Sequence, residues 1–350
     1  MTRTRRTRLA ILPAALVLVA GCGANGGDSG GDSSGDSGGQ EATAAGSGCD
    51  FSPDFPKGPI ELIIPWAAGG GTDSVARFVG TQLAEKLDTQ VNAVNRTGGS
   101  GVVGHSAIAN AKPDGSTIGL ATVEITMMHW QGLTDLTYKQ LTPIAQVNSD
   151  PAGVTVVSDS PFEKVPDLIE AAKANPGQLT ASGTGRGGIW NLAMAGMLIE
   201  AGADPQAIQW VPSEGAAPAL QELVAGGIDV STASLVENQT LIGAKRVKAI
   251  GLMADERDPK FPDVPTLKEQ GIDFTMSAWR GFAGPEGMQE DVVKELSCNL
   301  DEIVHGAEYK DFMGTTGFGI AWKDYKEFGD FMAEQDAEKG KIMKASGLAG

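Results

Sequence analysis

From about residue 56 onward, apolar and polar positions follow two alternating rhythms. Short apolar runs predict strands at 60–64, 91–94, 118–122, 144–147, 154–157, 179–182, 208–211, 229–232 and 249–253. Between them, apolar residues recur at helical spacing over 73–87, 102–111, 165–174, 189–201, 216–225 and 236–244. Pro166 suits a helix first turn, and Gly202 and Gly226 suit helix stops. This alternation predicts an α/β fold of parallel sheets with helices on both faces. After Trp279 the pattern turns mostly helical, over 289–305, 309–315 and 323–346, which fits a chain returning to finish its first domain.

The first 50 residues follow neither rhythm. Arg3, Arg5, Arg6 and Arg8 precede an apolar run of about 12 residues, shorter than the roughly 20 that a spanning helix needs. The run ends in Val19-Ala20-Gly21-Cys22, which resembles a bacterial lipobox. Residues 1–22 therefore read as a lipoprotein signal peptide, with Cys22 the lipid-bearing residue of a protein held outside the cytoplasm on the cell membrane. A diacylglyceryl group supplies two chains, enough for stable attachment. Residues 23–50 are rich in Gly, Ser, Ala and Asp and read as a tether; its first 26 residues reach roughly 28 Å. The tether twice spells Gly-Asp-Ser-Gly-Gly, at 27–31 and 35–39, a serine-protease signature. A nucleophilic serine needs a strained turn between ordered elements and a histidine beside it, and neither is present in this segment.

Composition narrows the classes further. The chain has 350 residues, enough for two domains, with 44 acidic and 27 basic side chains and a net charge of −17. Cleavage before Cys22 would remove four arginines and leave −21. Such acidity without a basic stripe excludes nucleic acid as a partner. Three cysteines and three histidines, widely scattered, predict neither a metal site nor an iron–sulfur cluster, and no cofactor is expected. With Cys22 lipidated, Cys49 and Cys298 remain in a disulfide-permissive compartment. They are expected to be joined, the alternative being two independent thiols.

Three glycine-rich loops fall between a predicted strand and a helix, where ligands of open α/β sheets collect. The first is Pro65-Trp66-Ala67-Ala68-Gly69-Gly70-Gly71-Thr72-Asp73, with Thr72 or Asp73 as helix cap. It lacks the Gly-Lys-Ser/Thr of a P-loop. The second is Asn95-Arg96-Thr97-Gly98-Gly99-Ser100-Gly101. The third, Ser182-Gly183-Thr184-Gly185-Arg186-Gly187-Gly188, mimics a dinucleotide fingerprint with Asp204 beyond it, but nicotinamide cofactors are scarce outside the cytoplasm. The shared physics is the helix N-terminus as an anion site, to which Arg186 could add a bidentate clamp.

The segment Ile60-Glu61-Leu62-Ile63-Ile64-Pro65-Trp66-Ala67-Ala68-Gly69-Gly70-Gly71-Thr72-Asp73 resembles the first strand and loop of the substrate-binding proteins of tripartite tricarboxylate transporters, the Bug or TctC family. The resemblance continues in order through 95–104, 112–115, 211–219, 223–229, Phe261-Pro262-Asp263-Val264-Pro265-Thr266, 269–271 and Trp279-Arg280-Gly281-Phe282. It implies a type II periplasmic-binding-protein fold, with two lobes and a ligand cleft between them. One lobe would comprise 51–147 and 279–350, the other 148–278. Carried over, the ligand-binding residues are Ala68, Gly69, Gly70, Gly71, Thr72, Asp73, Thr97, Gly98, Gly99, Ser100, Thr122, Val123, Ser182, Thr184, Gly185, Arg186, Glu214, Gly215 and Ala216.

Two departures from the family pattern bear on the ligand. Ser213-Glu214 stands where many relatives have Tyr-Lys, and many have Asp near Ala233. Glu214 would repel a carboxylate unless paired with a cation such as Arg186. Without an Asp near Ala233, an ammonium finds no acceptor, so a non-amine di- or tricarboxylate is favoured. The resemblance implies a monomeric, non-enzymatic receptor serving large and small membrane subunits of a transporter. The same fold and site would serve a sensory binding protein. An extracellular enzyme would need cleft groups that His105, His129 and His305 do not supply at ligand spacing.

Overall fold

The computed structural model describes residues 48–213 and 215–350. The expectations for the signal peptide, Cys22, most of the tether and Glu214 lie outside the described residues.

In chain order, β1 (Ile60–Ile64), α1 (Gly71–Lys86), β2 (Val91–Asn95), α2 (Val102–Ala109) and β3 (Thr117–Thr122) alternate, followed by β4 (Leu141–Pro151). The middle comprises β5 (Gly153–Val157), α3 (Val165–Ala174), β6 (Leu179–Ser182), α4 (Ile189–Glu200), β7 (Ile208–Trp210), α5 (Ala216–Ala225), β8 (Val230–Ser231), α6 (Leu235–Gly243) and β9 (Val247–Leu252). Then come β10 (Ser277–Pro285), α7 (Glu290–His305), α8 (Ala307–Thr316), β11 (Ile320–Lys323) and α9 (Tyr325–Ser346).

Two sheets result, a six-stranded one ordered β11-β4-β10-β3-β1-β2 and a five-stranded one ordered β7-β6-β8-β5-β9. Strands β1, β2 and β3 are mutually parallel, as are β7, β6 and β8. The expectation of parallel sheets fails elsewhere. β10 runs antiparallel to both β3 and β4, and β5 antiparallel to β8 and β9. The reason is topological. The chain leaves the first sheet through β4, turns into β5 at Ala152, and re-enters through β10 just after Met276. The two crossings lie side by side, with the Ala152 N–H donating to Met276 O at 2.8 Å. A strand that returns beside its exit must run against it.

The mostly helical reading after Trp279 misses β10 for a related reason. The stretch Ser-Ala-Trp-Arg-Gly-Phe-Ala-Gly-Pro is largely buried, so it lacks polar–apolar alternation. Gly281 lets α9 lie flat on it: a Cβ there would stand 2.3 Å from the Phe328 ring and 2.8 Å from Ala145 O.

One hydrophobic cluster belongs to the six-stranded sheet, and a second runs from that sheet into the five-stranded one. Ile60, Leu62 and Ile64 of β1 meet Val75, Val79 and Leu83 of α1, Phe282 of β10 and Leu296 of α7. Val154 and Val156 of β5 pack with Leu192 and Met197 of α4 and with Trp279. Each such aliphatic side chain contributes about 1.5–3 kcal/mol on full burial. Trp279 meets Phe328 edge-on, with ring centroids 5.4 Å apart. Cys49 and Cys298 are bonded, with S–S 2.03 Å and Cα–Cα 5.5 Å, which fastens the start of the described chain to α7.

Candidate functional site

The parallel strands of each sheet end in loops beside the crossings. In the six-stranded half, Thr122 at the end of β3 pairs with Arg280 of β10. In the five-stranded half, Ala233 beyond β8 accepts the Gly153 N–H, and Ala152 bridges Ser234.

Asp73, in the first turn of α1, is 5% exposed. Its carboxylate accepts the Gly69 N–H at 2.9 Å, the Asn95 amide at 2.8 Å and Arg77 Nε at 2.9 Å. Burial works against its charge, but these three donors outweigh burial and hold its pKa below the usual value. The Asn95 amide also donates to Trp66 O, which joins the first loop to the second. Trp66 Nε1 donates to Thr122 Oγ1 at 3.1 Å. Gly104 is where the second loop's helix touches the first loop. A Cβ there would stand 2.4 Å from Pro65 Cα and 2.7 Å from Arg96 O, so only glycine allows this approach.

His105 is fully buried between the same loops. The Thr122 N–H donates to its Nε2 at 3.0 Å, so Nδ1 carries the proton and donates to Gly101 O at 2.8 Å. Burial pushes its pKa down to about 4. The unfolded chain protonates this imidazole below about pH 6.5, whereas the folded chain resists until about 4. Stability is therefore lost as pH falls across that window, on the order of 3 kcal/mol in all. Denaturant unfolding at pH 7.5 and 4.5 is expected to show a smaller pH difference in His105→Gln than in the natural protein. Identical pH differences would refute the assignment.

In the five-stranded half, Thr184 O accepts both the Ser213 N–H at 3.0 Å and Trp210 Nε1 at 3.1 Å. The Gly187 N–H donates to Asn191 Oδ1 at 2.9 Å, and Thr232 Oγ1 donates to Trp190 O. These bonds fix the third loop to the β7 and β8 ends. Besides the core that α4 and α9 share, the halves touch at two loops. Gly187 lies against Gln131, and Gly317 lies against Val236 and Gln239 at the start of α6.

The residues carried over from the sequence occupy different environments. Ala68, Gly69, Gly70, Thr97, Gly98, Gly99, Ser100, Gly185 and Arg186 are exposed loop tips. Gly71, Thr184 and Gly215 are half-buried. Thr72, Asp73, Thr122, Val123, Ser182 and Ala216 are buried. Asp73 and Thr122 spend their side chains on holding loops together. Glu214 lies outside the described residues.

Sequence reasoning did not assign the charged groups at the crossings. Arg280 donates to Asp150 Oδ2 at 2.7 Å, to Asn148 Oδ1, and through Nε to Thr72 Oγ1 at 3.0 Å. Glu124 follows β3 and accepts from Thr122 Oγ1. Glu237, in the first turn of α6, accepts the Ser234 hydroxyl at 2.9 Å and the Ser234 N–H at 3.2 Å. Burial pushes both glutamates above the usual range, against the pull of these hydrogen bonds and of Arg280. Behind Glu124, burial lowers Lys339 of α9 to about 8. The available signal was a lone arginine within an apolar strand, since a buried cation requires a partner.

The sequence profile of the tripartite tricarboxylate transporter family receptor matches residues 75–348. A UPF0065 protein from the tcbD–tcbE intergenic region of Pseudomonas sp. (strain P51) is 30% identical over 271 residues, 76% of this chain and 80% of that protein. Among solved structures, a TctC solute-binding protein from Polaromonas, without ligand, is 32% identical with a TM-score of 0.74, covering 83% of this chain and 99% of that one. MatC from Rhodopseudomonas palustris, with bound malate, is 25% identical with a TM-score of 0.68, covering 82% and 99%.

Proposed function

Because the chain belongs to the tripartite tricarboxylate transporter receptor family, whose members are periplasmic solute-binding proteins, we propose that it captures a small carboxylate in the cleft between its two sheets. What supports this reading is that strand ends of both sheets reach the paired crossings, β3 at Thr122 beside Arg280 and the turn beyond β8 at Ser234 beside Ala152, with the glycine-rich loops following the neighbouring parallel strands β1, β2 and β6. Such loops offer main-chain N–H groups to an anion without a bulky side chain in the way. The malate held by MatC supports a carboxylate as the solute. A di- or tricarboxylate is the favoured class, and the receiving partners are the large and small membrane subunits of a transporter. The protein works as a monomer and binds its solute without transforming it.

Titration calorimetry of the soluble domain against malate, succinate, citrate and their amides tests the reading. A carboxylate at 100 times its Kd should add about 2.7 kcal/mol to stability. Failure of every acid to bind would sink it.

The arginine-rich start and the lipobox-like ending at Cys22 motivate attachment to the membrane through a lipid. Cys22→Ser is expected to move the protein from the membrane to the soluble fraction. Unmodified Cys22 in membrane-extracted protein, read by mass spectrometry, would contradict it.

A further inference from the structure

The capture of a carboxylate leaves open which side chain, if any, meets its charge. Arg280 stands on β10, four residues past the second crossing, and its side chain is 14% exposed over a 4% exposed Asp150. Three features hold the guanidinium still. Nε is bonded to Thr72 and Nη1 to Asp150 and Asn148, while Phe318 lies across the group with its ring centroid 5.4 Å from Cζ. Asp150 is itself fixed, because its Oδ1 accepts the Gly319 N–H at 2.8 Å.

A guanidinium carries five N–H donors, and these contacts leave the pair on Nη2. Among the described residues Nη2 makes no hydrogen bond. It lies beside Gly71, 3.3 Å from where a Cβ would stand, at the first turn of the 16-residue α1. Phe318 stands nearer still to that point, at 2.7 Å, and Gly71 and Thr72 beside the guanidinium both belong to the first turn, whose N–H groups lack intrahelical partners and carry the positive end of the helix dipole. Glu124 and Glu237 are near enough for the Arg280 charge to oppose the burial that raises their pKa values.

We propose that Arg280 Nη2 and the first turn of α1 together form the carboxylate clamp of the cleft, making Arg280 the residue that selects an acid over its neutral amide. This rests on the proposed capture of a carboxylate. The paired Asp150 lets the cation stay dehydrated, and the rigid fork costs no reorganisation when the acid arrives.

The test compares acids and amides on the natural protein, Arg280→Gln and Arg280→Lys by titration calorimetry. If none of malate, succinate and citrate binds the natural protein, the capture reading itself fails. If one binds, Arg280→Gln should weaken it about ten- to a hundredfold, the scale of a charged hydrogen bond, while leaving the amide unchanged. Arg280→Lys should recover only part of the loss, since an ammonium cannot hold three partners and the acid in one plane. Unchanged affinity in Arg280→Gln, or equal loss for acid and amide, would overturn the proposal. Asp150→Asn with Arg280→Gln leaves no orphan charge and serves if the single variant does not fold. A crystal of the natural protein with its bound acid gives an independent reading. A carboxylate oxygen about 3 Å from Nη2 supports the clamp, and an oxygen held only by main-chain N–H groups refutes it.

Discussion

Reducing the Cys49–Cys298 bridge is expected to lower folding stability by about 5 kcal/mol. The two cysteines are 249 positions apart, and closing so long a loop removes chain entropy of that order from the unfolded state. Beyond the bridge, the Phe55 ring packs on the core of the six-stranded half, and one hydrogen bond ties the segment to α7. The Ser52 N–H donates to Glu295 Oε2 on α7 at 2.8 Å, a bond contributing about 1.5–3 kcal/mol at most. Denaturant midpoints with and without reductant, and for Cys298→Ser, should fall together. An unchanged midpoint on reduction, with both thiols then accessible to labelling, would mean that the loop contributes nothing.

Asp150→Ala should cost about 3–5 kcal/mol, because it strands the largely enclosed Arg280 without its counter-charge. The carboxylate also accepts the Gly319 N–H, so alanine loses a loop contact as well. Asp150→Asn keeps a hydrogen-bond acceptor but not the charge, and the difference between the two variants separates these losses. Thermal unfolding monitored by circular dichroism is sufficient. If Asp150→Ala melts within 1 kcal/mol of the natural protein, water already solvates Arg280 and the pair is not the closed one described.

Local pattern made much of the fold legible. The β1–α1–β2–α2–β3 run appears almost as its periodicity predicts, because each strand is followed by a helix with a buried stripe such as Val75, Val79 and Leu83. The glycine loops were legible for a similar reason, since they interrupt that periodicity at strand ends. What could not be read depends on distant pairing. β10 is antiparallel because β4 left the sheet beside it, a relation spanning more than a hundred residues. Arg280 gathers Thr72, Asn148 and Asp150 from sequence separations of 208, 132 and 130. No spacing rule reaches across such distances. Asp73 shows how local sequence leaves a role open. It stands in a ligand-like loop, yet the loop consumes its carboxylate.

The bridge to α7 also sets where tension runs. A pull between the chain upstream of Gly48 and the C-terminus enters at Cys298 and travels through α7, α8, β11 and α9. The whole five-stranded half falls within the shunted 249-residue loop, out of the line of force. Rotation of that half about the crossings is therefore opposed by solvent drag and its own contacts, and not by a pull applied through the bridge.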